Sequence, residues 1–199
     1  MKKDMDINID ALLRDTFLTV VELRQGTTVE LRQGTTVRHG IELYRHCQRQ
    51  VELVRERLKD AGFSRENVEH ITYAQCALLD ETVLSRSGMD DGQAIWMKNP
   101  LQSHFFNTLQ AGDFFNTLQA GELLYERMKQ VLQEPAPAQA VLTCFHRVLL
   151  LGFRGRYQDP AAPERDQLIS TLNGQVAPFG VLPETGRSRH LVCCRKRRY

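Results

Sequence analysis

The chain has 199 residues, of which 42% are hydrophobic and 25% charged, a composition typical of one globular domain with a real core rather than of a disordered chain. Its 26 basic and 24 acidic residues leave a net charge of +2, without the basic excess expected of a nucleic-acid-binding protein. Five scattered cysteines argue against a disulfide framework, and no apolar run reaches the length of a transmembrane helix. The charged start lacks a signal-peptide core, so we expect a reducing cytosolic environment.

Apolar residues recur at helical spacing along most of the chain, which predicts an all-α fold. A first helix is predicted to begin near Asn8 or Asp10 and to weaken near Gly26. The second is predicted over residues 41–61, with an amphipathic stripe facing the core. Residues 27–37 are rich in β-branched side chains, so a short hairpin there is an open alternative.

The third predicted helix follows a stop at Gly62 and an N-cap at Ser64. Because it is apolar on most sides, we expect it to be central and buried. Residues 87–92 read as a loop, and Asn99 followed by Pro100 resembles the start of another helix. Helical spacing then continues to about Gln133, with possible breaks at two glycines.

Two prolines separate that stretch from a helix predicted over residues 138–157. Gly152 and Gly155 within it indicate either close helix packing or fraying near its end, and the sequence favours neither. A short last helix is predicted over residues 164–172. We therefore divide the chain into a helical domain, residues 1–173, and an irregular polar to basic tail, residues 174–199.

Two segments are repeated in tandem. The sequence VELRQGTT occupies residues 21–28 and is repeated at 29–36. The sequence FFNTLQAGD occupies residues 105–113 and is followed by FFNTLQAGE at 114–122. Eight extra residues rotate a helix face by roughly 80° and nine by roughly 180°. An uninterrupted helix cannot bury both copies alike, so we expect one copy of each to leave the helix or to change its register.

Asp80 and Glu81 lie at the end of the apolar third helix, where a buried carboxylate must be hydrogen-bonded or paired. One interpretation is an acidic patch that docks a partner. Another is a structural pair bonded to an arginine, a tyrosine or a helix N-terminus. A third is an acid–base pair of a small enzyme. The sequence speaks against it, because no nucleophile, metal site or glycine-rich loop accompanies the two carboxylates.

A dense aromatic group indicates either core packing or an exposed anchor for a partner; it consists of Trp96, Phe105, Phe106, Phe114 and Phe115. Histidines and cysteines lack the paired spacing of metal sites, so no metal ligand is expected. No nucleophile or glycine-rich loop accompanies the two carboxylates, so no catalytic residue and no cofactor are expected either. The basic run Arg195–Arg198 leaves open a regulatory module that binds membranes peripherally. A solvated tail is the simpler interpretation.

Several short motifs, in their order along the chain, resemble those of the TssL family of type VI secretion, which is related to DotU of type IVB secretion. The resemblance covers about residues 7–172. It rests on LLRDTFLTVVELRQG near the start, YAQCALLDE at 73–81, Trp96, PLQ at 100–102 before Phe105 and Phe106, AGE at 120–122, CFHRVLLLGFRGRY at 144–157 and ERDQLI at 164–169.

The resemblance implies two packed helical bundles that form one hook-shaped domain at the cytoplasmic face of the bacterial inner membrane. It also implies a scaffold rather than an enzyme, which joins the membrane proteins TssM and, indirectly, TssJ to baseplate components and which can self-associate. The docking candidates are then Asp80, Glu81, Trp96, Phe105 and Phe106. Two features depart from the family: the tandem copies, and the missing C-terminal membrane anchor, since residues 181–199 are polar to basic.

Overall fold

The computed structural model describes residues 7–25, 29–30, 36–37, 40–86, 91–106, 116–157, 159 and 162–180. Within these ranges the chain forms nine helices and two strands of two residues each. They are, in chain order, α1 (Ile9–Leu12), α2 (Arg14–Arg24), β1 (Val29–Glu30), β2 (Thr36–Val37), α3 (Ile41–Asp60), α4 (Arg65–Leu84), α5 (Asp91–Lys98), α6 (Leu101–Phe106), α7 (Asn116–Leu132), α8 (Gln139–Leu150) and α9 (Pro163–Asn173). The predicted all-α class is confirmed.

The helices begin and end at residues whose side chains or conformations satisfy the terminal backbone groups. Asn8 caps α1 by accepting a hydrogen bond from Ala11 N at 3.0 Å, and Ser64 caps α4 by accepting one from Asn67 N at 3.2 Å. Gly62, at φ +82°, ends α3 in the left-handed conformation that favours glycine. Of the two caps that the sequence left open for the first helix, Asn8 and Asp10, the structure has Asn8. The cap predicted at Ser64 and the stop predicted at Gly62 are confirmed.

Helix α4 is the centre of the domain, as its sequence predicted. Every residue from His70 to Asp80 is buried, and the helix packs against α2, α3, α5, α6, α7 and α8. All described helices share one hydrophobic core. In the part of the chain that the structure describes, no helix is both long and apolar enough to cross a membrane.

Helix α8 ends at Leu150, seven residues earlier than predicted, so the expected helix to Tyr157 is wrong. Gly152 adopts φ +95°, and its N–H donates to Leu149 O at 3.0 Å while Phe153 N donates to Val148 O at 3.2 Å. This is the glycine-based C-terminal stop that many helices use. Residues 151–157, which we call the α8 turn, therefore form a structured connection rather than helix.

Two further differences concern short elements. Helix α5 begins at Asp91 inside the predicted loop, of which residues 87–90 lie outside the described residues. The predicted first helix is divided into α1 and α2 at Leu13, whose backbone departs from helical geometry with φ −94° and ψ 4°.

The copies of the first tandem repeat adopt different structures. Val21 and Glu22 lie in α2, whereas the identical dipeptide Val29–Glu30 forms β1, which pairs antiparallel with β2. The hairpin left open for residues 27–37 is therefore present in its described part. In the second repeat, Phe105 and Phe106 end α6 and Asn116 begins α7, while residues 107–115 lie outside the described residues.

A buried arginine joins the start of the domain to the residues after α9. Arg147, only 1% exposed, donates to both carboxylate oxygens of Asp10 at 2.7 and 2.9 Å and to Ala177 O at 3.0 Å. Its guanidinium also stacks over the ring of Phe179 at 4.8 Å, and that ring meets Phe17 edge-on at 5.8 Å. These contacts fasten residues 177–179 against α1, α2 and α8.

We expect Asp10→Asn to lower the free energy of unfolding by about 1–3 kcal/mol, because the buried guanidinium of Arg147 loses its charged hydrogen-bond partner, which is itself partly exposed. Urea unfolding monitored by circular dichroism measures this loss. The matched control is Asp60→Asn, at an exposed aspartate at the end of α3, which should change stability by less than about 0.5 kcal/mol. Equal effects of the two substitutions would show that the Asp10–Arg147 pair contributes no net stability.

Candidate docking site at the C-terminal end of α4

The two predicted docking carboxylates stand side by side in the sequence but serve different parts of the structure. Consecutive residues of an α-helix are about 100° apart around its axis. Asp80 faces α5 and α6, whereas Glu81 faces the α8 turn. The end of α4 therefore holds two separate parts of the fold with two adjacent side chains.

Asp80 is buried, with 4% exposure, and caps the start of α6. Its Oδ1 accepts hydrogen bonds from Trp96 Nε1 at 2.6 Å and Leu101 N at 2.9 Å, and its Oδ2 accepts one from Gln102 N at 3.0 Å. Three N–H donors thus compensate the loss of water around the carboxylate. This matches the structural interpretation in which Asp80 is bonded to a helix N-terminus.

Burial raises the pKa of the Asp80 carboxyl group from 3.8 to about 6. The hydrogen bonds from Gln102, Leu101 and Trp96 act in the opposite direction, because they favour the charged form. Asp80 therefore exchanges its proton at a pH well above that of an ordinary aspartate.

Glu81 is partly exposed and holds the backbone of the α8 turn. Its side chain is 23% exposed and accepts hydrogen bonds from Arg154 N at 2.9 and 3.2 Å and from Gly155 N at 2.7 Å. Arg24 lies 3.8 Å from the same carboxylate and donates to Gly152 O at 3.2 Å. Glu81 consequently presents an accessible carboxylate edge whose position is fixed by the turn.

Side chains from two further helices complete the support of the turn. Tyr125 of α7 donates its hydroxyl hydrogen to Arg154 O at 3.0 Å. Arg165 of α9 donates to Phe153 O at 3.1 Å and Leu149 O at 2.6 Å. Arg24 and Arg165 thereby place positive charge at the C-terminal end of α8, where the helix dipole is negative.

Two glycines make this turn sterically feasible. Gly152 has φ +95° and Gly155 has φ +54°, conformations that other residues rarely adopt. A Cβ added at Gly152 would also stand 3.1 Å from Nη1 and 3.3 Å from Cζ of Arg24. Their role is neither helix packing nor fraying, the two alternatives left open by the sequence, but closure of a turn against Arg24 and Glu81.

The aromatic candidates divide between the core and the surface. Trp96 is fully buried and packs edge-on against Tyr44 with ring centroids 4.9 Å apart, while its indole N–H is held by Asp80. Phe105 and Phe106, at the end of α6, are only partly buried. Of the alternatives left open by the sequence, core packing fits Trp96 and a structural bond to a helix N-terminus fits Asp80, because both side chains are buried. Burial withholds both from direct contact with a partner.

Cationic side chains cover the two partly buried phenylalanines. Arg127 lies over the Tyr73 ring at 4.5 Å and the Phe106 ring at 5.9 Å, and Arg55 lies over the Phe105 ring at 5.6 Å. Cation–π contacts of this kind leave the guanidinium edge available for hydrogen bonds. The docking role of Phe105 and Phe106 remains a prediction, and the structure adds these arginines to their surroundings.

The sequence analysis did not identify Arg24, Arg154 or Arg165 as parts of the site. Their contacts join residues far apart in the chain, and a single arginine in a helical pattern carries no signal of such a partner. The pair of glycines at 152 and 155, after a long apolar run, was the available signal for a turn.

Glu66, His70 and Glu134 offer ligand atoms within 4.8 Å of one another, the arrangement among the described residues that comes nearest to a metal site. Arg127 Nη1 lies 3.3 Å from His70 Nδ1, and a guanidinium can only donate hydrogen bonds. The neutral ring then carries its proton on Nε2, the atom nearer Glu66, where a metal would need a free lone pair. We therefore assign no metal to this group.

The raised pKa of Asp80 generates a prediction about stability against pH. As pH rises, the unfolded chain loses this proton near its ordinary pKa of 3.8, before the folded protein does so near 6. Stability from this group is therefore fully present below about pH 4 and falls by about 3 kcal/mol as pH passes through 6. Asp80→Asn cannot titrate, so the wild type should lose about that amount relative to the variant in urea unfolding from pH 4 to 7. A difference independent of pH would contradict the assigned environment.

Comparisons with known proteins were made for the whole chain. The family described as type VI secretion system protein DotU matches residues 8–191. None of the curated proteins compared matches the chain.

Solved structures of TssL proteins are similar to this one. The crystal structure of SciP/TssL from enteroaggregative Escherichia coli 042 has 36% sequence identity and a TM-score of 0.67, covering 90% of this chain and 96% of that one. The cytoplasmic domain of TssL from Acinetobacter baumannii has 24% identity and a TM-score of 0.66, covering 85% and 96% of the two chains. TssL from Vibrio cholerae has 24% identity and a TM-score of 0.60, covering 85% and 97%.

The two structures at 24% identity support the fold, whereas the Escherichia coli structure and the family match cover most of the chain. The family consists of structural secretion components and is not an enzyme family, in agreement with the predicted scaffold. The chain belongs to the type VI secretion system DotU (TssL) family and is a component of that secretion system.

Proposed function

We propose that the protein is an adaptor that joins the membrane complex of the type VI secretion system to the baseplate of its contractile tail. In this proposal it binds the cytoplasmic part of TssM, is linked through TssM to TssJ, and lies at the cytoplasmic face of the inner membrane. Contacts with a second copy of the chain are compatible with this role. No cofactor takes part.

The observation that carries the proposal is the surface around Glu81. Its carboxylate edge is accessible, yet its position is fixed by backbone N–H groups of the α8 turn. A group that is ordered before binding loses little conformational entropy when a partner docks. Family membership together with this surface supports a docking component rather than an isolated structural domain.

The buried candidates have a supporting part in this proposal. Asp80 and Trp96 fix the start of α6, and Phe105 and Phe106 lie at the other end of that helix. Tyr73, which contacts Phe106, is seven residues before Asp80, roughly 10 Å along α4. The aromatic end of α6 and the Glu81 surface are therefore both held by side chains of α4.

The positions of Asp80 and Glu81 do not fit the alternative of an acid–base enzyme. The oxygens of Asp80 are engaged by three N–H donors, and those of Glu81 hold the turn on a different side of α4. Two carboxylates that act on one substrate need a shared space between them. The basic run Arg195–Arg198, on which the peripheral membrane module was based, lies outside the described residues.

The direct test is retention of partner proteins by the purified chain. We expect the immobilised protein, shown to be folded by circular dichroism, to retain the cytoplasmic part of TssM or a baseplate component of the same secretion system. Retention should be lost when the bait is unfolded. If the folded chain retains none of them, the adaptor proposal fails for this protein.

A substitution at Glu81 separates docking from structural support. Glu81→Gln keeps the size of the side chain but removes the charge that a partner would bind, so retention should fall at least tenfold. The same change weakens the bonds to Arg154 N and Gly155 N, and we expect a loss of about 1–3 kcal/mol in stability.

The matched control for this substitution is Glu66→Gln, at a glutamate with 68% exposure at the other end of α4. It should leave retention unchanged. Retention is measured at a temperature at which the melting curves show every variant to be folded. If Glu81→Gln has a lower melting temperature but retains partners as the wild type does, the role of Glu81 is structural only.

A further inference from the structure

The α8 turn holds one of its residues in an unusual way. The N–H of Arg154 is bound by Glu81 and its carbonyl oxygen by Tyr125, so both backbone groups are fixed by side chains of other helices. The side chain of Arg154 is exposed, and among the described residues no carboxylate pairs with its guanidinium. The fold thus orders the backbone of this residue and leaves its charged end available.

Among the described residues, the charged groups that act on Arg24 beside Arg154 are mostly positive. Three arginines lie near Glu81: Arg24, Arg154 and Arg165. Burial lowers the pKa of the Arg24 guanidinium. The negative charge of Glu81 raises this pKa, and the positive charges of Arg154 and Arg165 lower it further. The oxygens of Glu81 already accept hydrogen bonds from the turn, which reduces its capacity to neutralise three guanidinium groups. A carboxylate supplied by a partner would relieve the excess positive charge.

An apolar side chain stands close to the arginine in the sequence. Leu150, four residues earlier at the end of α8, is 44% exposed. Arginine is over-represented among the residues that dominate binding energy at protein interfaces, and apolar neighbours that exclude water strengthen its contribution. Because the turn is already ordered, little conformational entropy is lost when a partner binds to it.

We propose that the α8 turn, together with the exposed last residue of α8, Leu150, is a docking surface on which Arg154 binds an acidic segment of another protein of the type VI secretion system. The proposal rests on the proposed adaptor function and extends it by assigning the complementary charge. It predicts that the same interface contains a carboxylate of this chain, Glu81, and a guanidinium that binds a carboxylate of the partner. Such a mixed pattern would fix the orientation of the two proteins.

Photo-crosslinking in cells that assemble the secretion system with the full chain tests the proposal. A benzophenone amino acid replaces Leu150, and in a second strain it replaces Leu53 of α3, whose exposure of 45% makes it a matched control. We expect an adduct between position 150 and one component of the secretion system, identified by mass spectrometry, with an acidic segment at the attachment site. Position 53 should not give this adduct.

Charge variants in the same strain test the role of the guanidinium. Arg154→Glu should reduce the adduct from position 150 at least tenfold, and Arg154→Lys, which keeps the positive charge, should preserve most of it. Arg57→Glu, at an exposed arginine in the last turn of α3, should leave it unchanged. Thermal melts of all three should match the wild type, because neither side chain has an ion-pair partner among the described residues.

The outcomes distinguish this proposal from the adaptor function. No adduct at position 150, an equal adduct at position 53, or an adduct insensitive to Arg154→Glu would each overturn the docking surface. If the wild type nevertheless retains TssM or baseplate components, the adaptor function stands and another surface mediates it. If neither adduct nor retention is found, both proposals fail.

Discussion

The C-terminal end of α4 carries two carboxylates, directly after a stretch, residues 70–79, in which every residue is buried. A carboxylate removed from water must find donors within the protein. Asp80 finds them at Trp96 and at the start of α6, and Glu81 finds them in the α8 turn. The positions of α5, α6 and the turn thus depend on satisfying these two groups.

The second carboxylate connects the core to the surface. The turn that Glu81 holds is closed by Gly152 and is supported from α2, α7 and α9 by Arg24, Tyr125 and Arg165. These contacts explain why a connection between two helices is ordered and yet carries exposed charged side chains. A scaffold needs this combination, because a partner then meets a surface that is formed before binding.

The tandem repeats show how strongly the surroundings determine local structure. The dipeptide Val21–Glu22 is helical, and the identical Val29–Glu30 is paired in a strand. The first copy continues a helix whose Phe17, Val20 and Leu23 are buried in the core, whereas the second copy begins beyond the end of that helix. Intrinsic preference is equal for the two copies, so packing decides between the two conformations.

The sequence by itself determined the all-α class, the central position of α4, the cap at Ser64 and the family. These features depend on local periodicity, on short capping patterns and on the order of short sequence motifs, all of which can be read along one chain. It also located Asp80 and Glu81 as groups that require partners. Only the tertiary structure decided that Asp80 is buried, that Glu81 holds a turn and that α8 ends at Leu150. Those outcomes depend on hydrogen-bond donors and cations contributed by helices that are distant in sequence. They could not be predicted, because the spacing of residues along the chain does not show which distant groups will come into contact.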